Sequence, residues 1–240
     1  MNKNIESNNC SSKSSFSLIV DGKFPKPIWI PKWRYGGDRY DFDSPKLHMP
    51  VVTTTPHEHY HCLVLECDPL VISYCVYPLH ISIRDMEGNE ISSMPDAWVF
   101  IAPSFEQIRE VKKQKEVEKA KKQIESQKSW CDRAFIEHKV IEVERDLPEL
   151  LVSNCELIVP YLSNPYRPDI QKQVVDLIDK HFEISLRELR CNSNIKTQQL
   201  YDAALQLLCS GRLIADLHHQ PFPDLILRRW TNAEPRQPLC

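Results

Sequence analysis

Ser93-Met94-Pro95-Asp96-Ala97-Trp98-Val99-Phe100-Ile101 is followed, after a short break, by Gln107-Ile108-Arg109-Glu110-Val111-Lys112. Two apolar runs around a short connection predict a β-hairpin. On that hairpin Asp96, at the head of one strand, lies near Glu110 and Lys112, at the tail of the other. Side chains alternate along a strand, so Glu110 and Lys112 share a face. Two carboxylates and an ammonium on one face suit a hard divalent cation beside a phosphate. The plain alternative is a solvated strand carrying Glu and Lys. A third carboxylate, from elsewhere in the chain, decides between them.

Glu58 is that carboxylate. Thr55-Pro56 reads as the cap and first turn of a helix that stops before Asp68-Pro69. Glu58 stands four residues before Cys62 and seven before Leu65, on their face of the helix. If those two pack on the sheet, Glu58 points to it as well. Glu66, near the helix end, is expected in solvent. The same region, His57-Glu58-His59-Tyr60-His61, satisfies H-E-x-x-H, the zinc-protease pattern. Val64 and Cys67 occupy the places of the Gly and third His of the extended motif. Zinc chemistry also leaves Asp96, Glu110 and Lys112 unused, so imidazoles lining a phosphate site or a wet helix end are preferred.

Outward from these motifs, Val71–Tyr77 and Leu79–Arg84 are β-branched or alternating and read as strands, with a turn at Glu87-Gly88-Asn89. Lys113 to about Trp130 reads as a solvent-exposed helix. Between Ile108 and Lys128 eight bases oppose four acids, a local +4 against −3 for the chain. A basic helix there suits a DNA backbone, and a merely solvated helix fits the charges equally well. Ala134–Val143 returns to strand, and Pro148–Leu162 is helical. The fold class is α/β: a mixed sheet flanked by helices.

Residues 1–50 read as a polar N-terminus and an extended arm. In that arm Trp29, Trp33, Tyr35 and Tyr40 alternate with Lys26, Lys32, Arg34 and Arg39. Such interleaving suits a nucleic-acid strand, but anchoring to the domain surface is the preferred reading. Residues 51–164 form the α/β unit and 165–240 a second one. Helices over Asp169–His181, Leu186–Arg190 and Thr197–Cys209, with a hairpin from Leu213–Leu217 and Leu225–Arg229, give a winged-helix arrangement. Its third helix has Lys196 as its only base, so a protein-binding role is expected, with any DNA contact through Arg212, Arg228 and Arg229. Nine cysteines without a C-x-x-C pair, and no export signal or membrane-length apolar run, point to reduced thiols in a cytoplasmic protein.

The block Leu65-Glu66-Cys67-Asp68-Pro69-Leu70-Val71-Ile72-Ser73-Tyr74-Cys75-Val76-Tyr77-Pro78 resembles one in the TnsA family, the endonuclease subunits of heteromeric cut-and-paste transposases. The resemblance covers about Thr55 to Leu162, with Asn154 fitting the closing helix of the family. The tail is similar in architecture only. It implies a restriction-endonuclease-like PD-(D/E)xK fold with catalytic residues at Glu58, Asp96, Glu110 and Lys112. Magnesium, replaceable by manganese, would be held by Glu58, Asp96, Glu110 and the carbonyl of Val111. It further implies cleavage at the 5′ ends of a bacterial transposon, beside a DDE transposase subunit and an AAA+ regulator. The family tolerates Gln at the position of Glu110, and His57 departs from its usual apolar residue. A free-standing nuclease of this fold and a non-catalytic assembly subunit are the alternatives.

Overall fold

The structure, a computed structural model, describes residues 17–31, 38–84, 88–231 and 237–240. Arm residues 32–37, with Trp33 and Tyr35, lie outside the described residues. The first regular element is a hairpin that the prolines and charges had hidden. In it β1 (Tyr40–Ser44) pairs antiparallel with β2 (Met49–Thr53). Thr55 then caps α1 (Pro56–Cys67), its hydroxyl accepting the amide of Glu58 at 3.2 Å. Pro56 fills the first turn, where no amide is needed.

α1 is buried on every side over its second half, from His61 to Cys67. Cys62 and Leu65 pack on the sheet, while Leu63, Val64 and Cys67 face the helices behind. Glu66 is buried with them, contrary to the expectation of solvent. Its carboxylate accepts hydrogen bonds from the hydroxyls of Ser44 and Tyr74 and from the amide of Lys46. The β1–β2 turn and a sheet tyrosine thus meet the need that water would have met.

β3 (Val71–Val76) follows, then a separate hairpin of β4 (Ile81–Arg84) and β5 (Glu90–Ser93). β6 (Ala97–Ile101) and β7 (Phe105–Lys112) are the two opening runs, paired antiparallel. The exposed helix expected over Lys113–Trp130 is instead α2 (Gln114–Val117) and α3 (Lys121–Ala134). One face of α3 is buried through Ser126, Gln127, Cys131 and Ala134. It cannot be solvated all round because it is the crossover from β7 to a parallel strand, β8 (Glu137–Glu142), and must cover the sheet. The central sheet runs β3-β6-β7-β8. α1 lies on one face. Trp98 and Ile108 meet Cys131 and Ala134 of α3 on the other. The architecture is α/β, a mixed sheet flanked by helices.

α4 (Val143–Asp146) is a single turn before α5 (Glu149–Leu162), which packs along α1. Beyond it come α6 (Pro168–His181), β9 (Glu183–Ser185) and α7 (Leu186–Cys191), which a Ser185–Glu188 capping box opens. α8 (Thr197–Cys209), β10 (Leu213–Ile214) and β11 (Ile226–Arg229) complete the regular structure of the described residues. These strands form a small antiparallel sheet, β10-β11-β9. One apolar core runs without interruption from Leu63 and Val64, through Leu151, Cys155 and Ile158, to Leu200, Leu207 and Leu227. α5 is the wall that both halves share.

Candidate active site

Antiparallel pairing sets Ala97 opposite Arg109, so the residue before β6 arrives beside the end of β7. That residue is Asp96. Its Oδ2 accepts the backbone amide of Val111 at 2.7 Å and lies 3.7 Å from Nζ of Lys112. Glu110 and Lys112, two apart on β7, project together, and Oε1 of Glu110 is 2.5 Å from the ammonium. Lys112 therefore bridges the two acids. Burial opposes its charge, but Asp96 and Glu110 outweigh that and hold its pKa above the ordinary lysine value.

Asp96 bears the opposite strain. Burial first, then the carboxylate of Glu110, push its pKa well above the usual carboxylate range. Lys112 and the Val111 amide pull against that shift, while Glu58 adds to it. Glu58 is thus within electrostatic reach of the strand pair, delivered by the first turn of α1. Its carboxylate accepts from the hydroxyl of Tyr77 and from the amide of Thr54 at 3.1 Å. The structure brings Asp96, Glu110 and Lys112 into direct contact and sets Glu58 beside them, turned toward Tyr77.

Two carboxylates flank one ammonium, and a third, Glu58, lies within electrostatic reach of it. Among the described residues no three His, Cys, Asp or Glu side chains are set as a ready-made metal cage. The donor chemistry nevertheless fits a hard dication. Oxygen ligands are in excess, and their mutual repulsion is what a divalent charge relieves.

Two glutamines that the sequence reading passed over complete the site. Gln123 donates to Oε1 of Glu110 at 2.7 Å and Gln127 to Oε2 at 2.8 Å, both from α3. Gln127 is itself oriented, since its Oε1 lies 2.9 Å from Nε2 of His138 on β8. The amide of Gln127 is spent on Glu110, so the imidazole must be the donor in that pair. Burial, then Lys128, lower the pKa of His138 and keep the ring neutral. At the rim Glu144 accepts the amide of Gln114 at 2.8 Å, which lowers its pKa. Spacing would have found the glutamines, because Gln123, Gln127, Cys131 and Ala134 make one helical stripe.

The zinc pattern does not assemble. Nε2 of the buried His61 lies 3.2 Å from Nη1 of Arg109, which is itself fully buried beneath α1. Burial and that guanidinium hold the pKa of His61 well below its ordinary value, so its lone pair faces a cation. Nδ1 of His57 and Nδ1 of His59 are buried without a hydrogen-bond partner among the described residues. His59 packs its ring against Tyr40 and Phe42 instead. Against models of known protein families and against curated protein sequences, the chain finds no match.

Proposed function

We propose that the chain is a metal-dependent DNA endonuclease of the PD-(D/E)xK kind, serving as the nuclease subunit of a TnsA-like cut-and-paste transposase. One observation carries this reading: Asp96, Glu110 and Lys112 share a largely buried cluster on paired strands, with Glu58 of α1 within electrostatic reach. Glu58, Asp96, Glu110 and the carbonyl of Val111 would hold a magnesium or manganese ion, which supplies a water activated for attack on a phosphodiester. Lys112, kept charged by its two acids, steadies negative charge on the phosphate and orients the water. The Val111 amide fixes the rotamer of Asp96, and α3 fixes that of Glu110. The products are a 3′ hydroxyl and a 5′ phosphate.

A net charge of −3 does not suit a protein that grips DNA unaided, so a DDE transposase and an AAA+ regulator supply the targeting. The element order helix, strand, helix, helix, strand, strand from α6 to β11 supports a winged-helix module. Its third helix, α8, is sunk in the core along most of its length, including Asp202. Arg229 lies 3.5 Å from Asp179 and Arg228 lies 4.0 Å from Glu183. These features favour protein docking over groove reading.

A second reading, a non-catalytic assembly subunit, draws support from the saturation of Glu110 by Lys112, Gln123 and Gln127. The two separate in a cleavage assay on transposon-end DNA with the partner subunits and magnesium. Asp96→Ala and Lys112→Ala are expected to lower 5′-end cutting by about 10²–10³-fold, the cost of losing charge stabilisation at a phosphoryl centre. Glu110→Gln is expected to retain measurable cleavage. Unchanged cutting by Asp96→Ala would establish the scaffold, and equal loss in Asp96→Ala and Glu110→Gln would overturn the ranking of Asp96 above Glu110.

A further inference from the structure

The guanidinium of Arg109 is completely buried, at 0% exposure, and none of the chemistry above uses it. An arginine keeps its charge inside a protein, and a buried charge is ordinarily paired with an opposite one. The partners of Arg109 are neutral. Its Nε donates to Oε1 of Gln107 at 2.8 Å. Nη1 lies 3.2 Å from Nε2 of His61 and donates to Sγ of Cys240 at 3.3 Å. Burial keeps both His61 and Cys240 uncharged. Nη2 is buried and, among the described residues, has no hydrogen-bond partner.

A second cation deepens the imbalance. Lys139 stands opposite Arg109 in the parallel register of β7 and β8, and its charge acts on both His61 and Cys240. Two acids nearby are turned to other donors. Asp68, whose charge reaches Cys240, gives one oxygen to the amide of Leu70 and the other to that of Leu239, both at 2.9 Å. Glu137 accepts from Gln107 at 2.6 Å. Residues 237–240 close the site. Gln237 and Pro238 are exposed, Leu239 is partly buried, and Cys240 is buried with its thiol against the guanidinium. Sulfur is a weak acceptor for so strong a donor.

We infer that Arg109 and Lys139 form a binding site for one small oxyanion, of the size and charge of inorganic phosphate, and that Cys240 is a neutral lid which gives way to it. Nη1 and Nη2 make the fork that recognises a pair of oxygens, one N–H to each. In the lidded state Nη2 is unused and Nη1 points one N–H at sulfur. Displacing the thiol opens the fork, while Gln107 and His61 keep the guanidinium in place, so the site is formed before the ligand arrives. Side chains alternate along β7, so Arg109 faces α1 while Glu110 and Lys112 face the other way. The inference therefore stands whether or not the chain cuts DNA.

Thermal melts of the full chain in chelator test it, with inorganic phosphate exchanged for chloride at constant ionic strength. The melting temperature is expected to rise by about 3–5 °C for each tenfold of phosphate above its dissociation constant. The rise persists in Lys112→Ala; its loss there would put the phosphate in the hairpin cluster and overturn the proposal. Arg109→Gln abolishes it. Since that variant disturbs a buried group and risks misfolding, Cys240→Asp and Cys240→Asn decide. The two have one shape, and only Asp brings a carboxylate to the fork. Cys240→Asp is expected to melt above Cys240→Asn without phosphate, and to bind phosphate at least about tenfold more weakly, because like charges now meet. A Cys240→Asp protein that melts below Cys240→Asn overturns the proposal. So does an equal phosphate response in the two, which would mark a general salt effect, or no response in the wild-type chain.

Discussion

Asp96 sits between two carboxylates and one ammonium, and its folded surroundings favour the proton. A raised folded pKa means that the folded state holds a proton the unfolded chain has already lost. Stability therefore falls as pH rises from the ordinary aspartate value to the raised one, and stays lower above it. Replacing the charge removes that loss. Asp96→Asn is expected to stabilise the metal-free protein at neutral pH by about 1 kcal/mol, a common gain when a functional site is relaxed. For a chain of this size that is a melting shift of about 2–4 °C. The gain should shrink as pH is lowered toward the ordinary carboxylate range, where wild type is also protonated in both states. Thermal melts in chelator across pH measure it, and an Asp96→Asn protein that melts lower than wild type at neutral pH would show that the Val111 contact outweighs the repulsion. Asp96, Glu110 and Lys112 were legible in the sequence because Pro-Asp and Glu-x-Lys sit at the ends of two short strands. A two-residue period needs no tertiary information.

At the scale of elements, α3 decides how firmly Glu110 is held. Its glutamines lie one turn apart, and His138 on the parallel neighbour strand fixes the second of them. Gln127→Leu leaves Oε2 of Glu110 without its donor and frees His138, while keeping the helix and much of its volume. Loss of an oriented partner behind a metal ligand costs about 10–100-fold in metal affinity. If Glu110 is the metal ligand proposed above, Gln127→Leu is expected to raise the manganese concentration for half-maximal cleavage by that factor, with the saturated rate changed far less. Loss of rate at saturating metal, with unchanged affinity, would place Gln127 outside this role. The helix was misread because Lys and Glu dominate its composition. Only the stripe of Gln123, Gln127, Cys131 and Ala134 marks the inner face, and glutamine does not register as apolar. The β1–β2 hairpin escaped for a related reason. Tyr40–Ser44 alternates with aspartates, and its burial partners, Glu66 and His59, lie on a helix that local pattern does not connect to it.

For the molecule as a whole, the coupling of its two halves passes through Asn154 on α5. Its amide donates to the carbonyls of Leu217 and Gln220 at 2.8 and 2.9 Å, and its oxygen accepts the amide of Phe222 at 2.9 Å. One buried side chain thus organises the connection between β10 and β11 against the helix that also backs α1. Tyr161, Tyr201 and Phe222 pack edge and face around the same junction. Asn164-Pro165-Tyr166-Arg167-Pro168 reads as a linker in sequence, yet the apolar core does not thin there. Composition reports local backbone freedom and is blind to contacts made across it. A core shared in this way unfolds as one unit, since neither half keeps its apolar face covered without the other. Calorimetry of the full chain is expected to show a single transition. Asn154→Ala strips one buried and two part-buried backbone groups of their partner, and a buried unsatisfied group costs about 1–3 kcal/mol before the loop relaxes. That single transition should move down as a whole, by about 5 °C or more. A split into two transitions, with the first alone sensitive to Asn154→Ala, would mean that the halves hold together by contact and not by a common core.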